Sequence, residues 1–195
     1  MNPAFRLAVR ATRPLRRIVE LTVLYYMDLR QELTSFHADV PLEMSRATRA
    51  EVEEAARLSP SFRESFLARH GAGLACFIAR IDGRVVAYNW TMYTSDEDDG
   101  DLIVLAPGEI YTLDAFTEEE WRGRGIHVAL LAHMLQAAKE AGYTDAYTLA
   151  SVLKRGSRKG VLRLGWRETG RALRVRGPSG RFRVVALRGS RRPLG

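Results

Sequence analysis

Residues 109–142 read EIYTLDAFTEEEWRGRGIHVALLAHMLQAAKEAG, and this stretch predicts a strand, a glycine-bearing turn and a helix in succession. The strand covers residues 109–116, which are rich in β-branched and aromatic side chains. The helix is indicated by apolar residues spaced four apart, at Ile126, Leu130, Met134 and Ala138. Gly142 follows the last apolar position and predicts the C-terminal end of this helix.

The turn between this strand and helix has the composition of an anion-binding site. Gly123 and Gly125 allow a tight turn and the close approach of a ligand, and Arg122 and Arg124 add positive charge. The first amides of a helix have no intrahelical partner and carry partial positive charge, so a phosphate or pyrophosphate would fit here. A purely structural turn would have the same composition, and the pattern alone leaves both interpretations open.

Two motifs resemble signatures of the GNAT N-acetyltransferase superfamily. The run Arg122-Gly123-Arg124-Gly125-Ile126-His127 resembles the acyl-CoA pyrophosphate loop, Q/R-x-x-G-x-G/A, with His127 where the family prefers Gly or Ala. Further along, Ser157 and Gly165 have the spacing of the family's N-x-x-S and L-G-F signature. In this second motif Lys154 replaces Asn and Trp166 replaces Phe. The resemblance covers residues 40–187 as an order of elements and is specific only in the two motifs.

The order of predicted elements indicates an α+β (mixed α/β) domain with helices on both faces of a mixed sheet. The resemblance implies a GNAT-like, mostly antiparallel sheet in which two neighbouring strands splay apart after residues 109–116. It also implies acetyl-CoA as the acyl donor. Backbone amides near Phe116 and Thr117 would hold the pantetheine arm and the acyl carbonyl. The pyrophosphate would be held by the loop residues Arg122, Gly123, Arg124, Gly125, Ile126 and His127.

The chain is predicted to divide into an N-terminal extension (residues 1–38), one acyltransferase domain (39–189) and a basic tail (190–195). The extension is expected to form a helix and then a strand or helix, packed on the core or on the second subunit of a homodimer. The patterns within the domain predict, in order, a strand at 40–45, helices at 49–58 and 62–70 with Thr48 as N-cap, a hairpin of 74–81 and 85–93 across Asp82-Gly83, the stretch described above, a strand at 144–150, a helix at 157–164 and a terminal hairpin of 167–176 and 181–187.

Composition limits the classes of protein. The 195 residues are 46% hydrophobic, enough for one core, and the single cysteine, Cys76, excludes an internal disulfide or a cysteine-rich zinc site. Cys76 lies in an apolar strand pattern, which favours a buried structural thiol in a reducing, cytoplasmic compartment. The acidic run at residues 95–101 lacks the calcium-loop pattern and reads as a solvated turn, so no metal site is predicted. No apolar run is long enough to span a bilayer.

Charge is distributed unevenly. The net charge is +7, but residues 154–195 carry +13, which leaves −6 for the remainder. Residues 1–17 hold five arginines and no acid, a composition compatible with a transit peptide or with peripheral membrane contact. Nucleic acid is not expected as a partner, because no helix-turn-helix, zinc-finger or RNA-binding signature accompanies the basic residues.

Acyl transfer to an amine needs a base for the amine and stabilisation of the oxyanion. Glu109 is the candidate catalytic base: it stands thirteen residues before Arg122, a spacing that resembles the general-base glutamate of the family's histone-acetylating branch. An exposed strand-start carboxylate is the alternative. Strand alternation predicts Glu109, Tyr111, Leu113 and Ala115 on one face, which leaves Asp114 as a competitor only if the other face lines the acceptor cleft.

Two further positions bear on the mechanism. His127 is interpreted as structural, because the motif places it on the pyrophosphate side. Many family members carry a tyrosine in the last helix that protonates the leaving thiolate, and Val161 stands at that place here.

The sequence therefore predicts an N-acyltransferase that moves an acetyl or related acyl group from acyl-CoA to a primary amine of a small molecule. The alternative is a non-catalytic GNAT-like protein that binds coenzyme A or associates with a polyanion or a membrane.

Overall fold

The computed structural model describes residues 19–60, 63–94, 104–176 and 182–189. Within these residues the chain forms eight strands and four α-helices. The elements are, in chain order, β1 Val19–Asp28, β2 Glu43–Arg46, α1 Arg49–Ala55, α2 Arg63–Gly71, β3 Ala75–Ile81, β4 Arg84–Met92, β5 Glu109–Thr117, α3 Ile126–Glu140, β6 Asp145–Ser151, α4 Arg155–Arg163, β7 Arg167–Arg176 and β8 Phe182–Gly189. The acidic run, the basic tail and the predicted N-terminal helix lie outside the described residues.

All eight strands belong to one sheet with the order β2-β3-β4-β5-β6-β1-β7-β8. The pair β5–β6 is parallel and the other neighbouring pairs are antiparallel. Helices α3 and α4 cover one face, where Leu130 and Met134 pack with Phe77 and Ile110. Helices α1 and α2 cover the other face, where Phe66 packs edge-on against Trp90. The predicted α+β fold, with a mostly antiparallel sheet and helices on both faces, is confirmed.

Strand β1 lies inside the sheet, between β6 and β7. Its residues Val23, Leu24 and Tyr25 are fully buried, because both edges of the strand are paired and both faces are covered. The predicted boundary at residues 38 and 39 therefore does not separate an extension from the domain in the described part of the chain. β1 supplies a central strand of the domain itself.

Local signals in the sequence match the local structure. Thr48 caps α1 through a capping box with Glu51, as its position predicts. The β3–β4 hairpin turns at Asp82 and Gly83, both with positive φ. These short-range features need no information from the rest of the chain.

A β-bulge interrupts β5 and changes which residues share a face. Trp90 pairs with Leu113 and Tyr88 pairs with Phe116, so Asn89 stands opposite two residues. One of the two, Asp114, adopts a φ of 46°. Phe116 therefore packs with Leu113 on the α2 side of the sheet. The predicted alternation, which put Ala115 on that side, is wrong beyond Leu113 because it assumed a regular strand.

Candidate active site

Strands β5 and β6 diverge and open a cavity. They pair only from Glu109 opposite Asp145 to Thr112 opposite Thr148. Beyond this point β5 stays with β4, whereas β6 stays with β1, where Thr22 pairs with Ser151. Residues 112–115 and 148–151 then form two walls of a cavity of about 730 Å³. The splay expected after residues 109–116 is thus present and begins within that strand.

The cavity reaches both faces of the sheet. On the α3 and α4 side it is lined by His127, Leu131, Lys154, Ser157 and Val161. On the α2 side it is lined by Ser65, Ala68, Arg69, Ala72 and Leu74. A ligand that enters on one side can therefore present a reactive group to a second ligand on the other.

The glycine-bearing loop follows the open end of β5. Gly123 and Gly125 have φ values of 84° and 77°, and α3 begins at Ile126 with no side-chain cap. Its first amides consequently have no side-chain acceptor from the N-cap residue. The side chains of the loop's arginines are tethered locally: Arg122 Nε donates to the Thr117 carbonyl at 3.0 Å, and Arg124 lies 4.8 Å from the Trp121 ring centroid.

The backbone of the loop is compatible with the motif as the sequence places it. Arg122 and Gly125 occupy its Q/R and G positions. Gly125 is the left-handed N-cap of α3, and His127 lies in the first turn of that helix. The assignment of this loop to a pyrophosphate stays a prediction.

Gly125 also packs against a segment that precedes β2. A Cβ atom at Gly125 would lie 2.8 Å from Phe36 Cε1, and the Asp39 amide donates to the Arg124 carbonyl at 2.9 Å. A Cβ atom at Gly123 would meet nothing within 4 Å. The loop therefore packs against residues 36–39 at Gly125, whereas no atoms lie close to the position of a side chain at Gly123.

His127 lines the cavity on the α3 side. Burial, and then the positive charge of Lys154, lowers its pKa to about 4. The imidazole is thus neutral at physiological pH and offers one N–H and one lone pair. Its ring faces α4 close to Gly160, next to Val161, the residue at the family's tyrosine position.

Glu109 lies at the closed end of the splay and is only 4% exposed. Its carboxylate accepts hydrogen bonds from the Ala106 amide at 2.9 Å and the Tyr147 hydroxyl at 3.1 Å. Its strand partner Asp145 accepts from the Tyr26 hydroxyl at 2.7 Å; burial and this bond raise the pKa of Tyr26 to about 12. Glu109 does not line the cavity, whereas Tyr111, the next residue on its face, does. Its role as base stays a prediction.

Two other carboxylates line the cavity, and each faces an arginine. Asp114 forms an ion pair with Arg69, whose guanidinium also lies 5.7 Å from a Trp90 ring centroid. Glu20 of β1 lies 3.7 Å from the guanidinium of Arg174 in β7. Sequence reasoning missed Glu20 because β1 was assigned to an extension. The signal that could have found it is the apolar run at residues 21–27, which is typical of a strand buried on both faces.

Phe116 and Thr117 lie just outside the cavity walls. The Phe116 ring stacks on Tyr88 with centroids 5.9 Å apart, and Thr117 pairs with Ala87. The part of β5 that lines the cavity is residues 111–115, which precede Phe116 and lie closer to the closed end. The proposed contact of the Phe116 and Thr117 amides with a pantetheine arm stays a prediction.

The described residues offer little support for a metal site, a membrane-spanning helix or a reactive cysteine. They contain no group of three or more His, Cys, Asp or Glu side chains that could hold a metal ion. None of the helices in the same ranges is long and apolar enough to cross a membrane. Cys76 is buried, and burial raises the pKa of its thiol to about 12, as a structural thiol requires.

The family model of the Acetyltransferase (GNAT) family matches residues 35–165. The chain therefore belongs to the GNAT family of acetyltransferases, as the two sequence motifs indicated. No curated protein matches. The match leaves out β1, which the structure places inside the sheet, between β6 and β7.

Solved structures support the fold. A GCN5-related glucosamine N-acetyltransferase region of a fungal multi-domain GH3 β-N-acetylglucosaminidase superposes with a TM-score of 0.60 at 19% identity, covering 89% of this chain and 23% of that one. A GCN5-related N-acetyltransferase from Sphaerobacter thermophilus gives 0.59 at 17% identity, covering 85% and 54%. AAC(6')-Iy, solved with the bisubstrate analogue CoA-S-monomethyl-acetylneamine, gives 0.53 at 19% identity, covering 66% and 92%. This chain thus spans less than two thirds of the length of the first two.

Proposed function

We propose that the protein transfers an acetyl or related acyl group from acyl-CoA to a primary amine of a small molecule. The observation that carries this proposal is the cavity that passes through the sheet where β5 and β6 diverge. His127, in the first turn of α3, lines the cavity on one side of the sheet, and the glycine turn directly precedes this helix. Carboxylates line the cavity on the other side.

The coenzyme side suits an acyl-CoA. The free amides at the start of α3 and the charges of Arg122 and Arg124 would hold the pyrophosphate. The edge of β5 at residues 113–115, which is not paired with β6, offers backbone groups to the amides of a pantetheine arm. Lys154 and the exposed basic residues of α4 add positive charge beside this entrance.

The reaction needs an amine nitrogen, a thioester carbon and a proton acceptor in one place. Nitrogen attacks the carbonyl carbon, the amine gives up a proton, the C–S bond breaks and the thiolate takes up a proton. Glu109 is the base that the family resemblance favours, acting through water because it does not line the cavity. Asp114 lines the cavity, but its carboxylate is engaged in an ion pair with Arg69.

The acceptor side favours a small amine over a polycation. Its two described carboxylates, Asp114 and Glu20, are each matched by an arginine, Arg69 and Arg174. A polyamine or an amino sugar with several positive charges needs negative charge that is not already neutralised by arginine. An acceptor with one amine and one anionic group can instead interact with the carboxylate and the arginine of one ion pair. An amino acid is an acceptor of this kind.

Thermal unfolding with acetyl-CoA, coenzyme A and a longer acyl-CoA is the first test, followed by a screen of amines for release of free thiol. A ligand that binds only the native state raises the melting temperature. No shift with any coenzyme A species would refute the proposal.

Two observations support the alternative of a GNAT-like protein that binds coenzyme A without turnover. Glu109 lies outside the cavity, and Val161 supplies no hydroxyl for the leaving thiolate. Binding of coenzyme A with no turnover of any amine would favour this alternative.

The proposal also includes a cytoplasmic location, which cell fractionation tests. It includes homodimer formation, which light scattering tests, and peripheral membrane contact through residues 1–17, which vesicle sedimentation tests.

A further inference from the structure

Asn89, in the wall of the cavity, carries a buried amide oxygen, Oδ1, that has no hydrogen-bond partner among the described residues. The residue is 2% exposed. It lines the cavity and stands opposite the bulge at Asp114 and Ala115. A buried amide without a partner destabilises a protein, whereas an apolar side chain of similar size would not. The position therefore calls for a ligand that supplies the missing partner.

Asn89 belongs to the coenzyme side of the cavity. Its neighbours on β4, Tyr88 and Trp90, pack under α2 on the opposite face. Thr91, which shares the face of Asn89, donates to the sulfur of Met134 in α3. An acceptor amine bound on the α2 side would therefore meet other residues first.

Asn89 lines the cavity from β4, opposite the bulge of β5, the strand that forms one wall. The thioester carbon must pass along this wall to meet an amine on the α2 side. The pantetheine arm has one amide close to its sulfur, and this amide is the nearest polar group behind the thioester. An amide both donates and accepts, so it can satisfy the Asn89 side chain in either orientation of its carboxamide.

We propose that the Asn89 side chain hydrogen-bonds the pantetheine amide next to the sulfur and so sets how far the thioester extends toward the acceptor. Asn89 is then a positioning residue for the acyl donor. The inference rests on the proposed function, since it needs an acyl-CoA in the cavity.

The test compares two ligands in the full chain. Coenzyme A contains the pantetheine arm, and adenosine 3′,5′-bisphosphate contains only the nucleotide end. We expect Asn89→Leu to weaken coenzyme A binding about tenfold in calorimetry, the loss of about one hydrogen bond to a buried group, and to leave bisphosphate binding unchanged. The ligand-free melting temperature of this variant should rise, because a buried amide oxygen without a partner is removed. Thr91→Val is the matched control: it also removes a buried polar group from β4 but does not line the cavity, so both affinities should be kept.

Each outcome of this comparison either supports or overturns the proposed role of Asn89. Equal coenzyme A affinity in the wild type and in Asn89→Leu overturns it, and so does an equal loss of affinity for both ligands. Asn89→Ala replaces the leucine variant if leucine prevents folding, and the same two ligands apply. A wild-type protein that binds the bisphosphate but not coenzyme A, or neither ligand, refutes the proposed function and this inference together.

Discussion

Substituting the two glycines of the α3 loop separates backbone strain from packing. At Gly123, alanine must adopt a φ of 84°, but its Cβ would meet nothing within 4 Å. The left-handed conformation costs about 1–2 kcal/mol for a residue with a Cβ. We therefore expect Gly123→Ala to lower the free energy of unfolding by about that amount.

Alanine at Gly125 adds a steric overlap to the same strain. Its φ is 77°, and its Cβ would lie 2.8 Å from Phe36 Cε1 and 3.3 Å from Cζ. The overlap involves the far end of a ring that can shift, so it adds about 1 kcal/mol, at the low end for overpacking. Gly125→Ala should thus cost about 2–3 kcal/mol, well within the typical stability of a folded domain.

Urea unfolding of both variants, with and without coenzyme A, measures these values. A double-mutant cycle of Gly125→Ala with Phe36→Ala isolates the overlap, because removing the ring should bring the cost at Gly125 down to that at Gly123. Additive behaviour in the cycle would refute the packing argument. Unchanged coenzyme A affinity in both glycine variants would refute the assignment of the loop to the pyrophosphate.

Three further predictions concern titratable groups. Glu109→Gln should lower kcat by at least about a hundredfold with coenzyme A affinity kept; a larger loss in Asp114→Asn than in Glu109→Gln, measured by thiol release, would transfer the role of base to Asp114. The pKa of His127 is about 4 in the folded protein against an ordinary value of 6.5, so the unfolded chain binds a proton at higher pH and the stability should fall as the pH drops from about 6.5 to 4. His127→Gln should flatten this dependence in urea titrations at several pH values. Tyr26→Phe should cost about 1–3 kcal/mol in the same assay, because it removes the hydroxyl that donates to the buried carboxylate of Asp145; a neutral effect would show that this hydrogen bond does not stabilise the fold.

Local patterns predicted the local parts of this structure. The strand, turn and helix of residues 109–142, the Thr48 cap and the Asp82-Gly83 hairpin each depend on residues close in sequence, and each is present. The resemblance to known motifs added the sheet and its splay. The loop glycines at 123 and 125 could be identified for the same reason, since their conformation is set by the turn itself.

Two features escaped prediction because they depend on pairing between distant strands. The bulge at Asp114 appears only in the register of β5 against β4, and a one-residue insertion exchanges the faces of all residues beyond it. The place of Asn89 in the cavity wall follows from the same register. No periodicity within β4 or β5 carries that information.

The position of β1 links the fold to the site. Beyond Thr148, β6 leaves β5 and stays paired with β1 as far as Ser151, and β1 is itself paired with β7. The strand that the sequence assigned to an extension thus supports the cavity wall that β6 forms. It also brings Glu20 to the acceptor side, opposite Arg174. Because Glu20 and Thr22 come from β1, part of the cavity lining depends on a strand that the match to the GNAT family model does not cover.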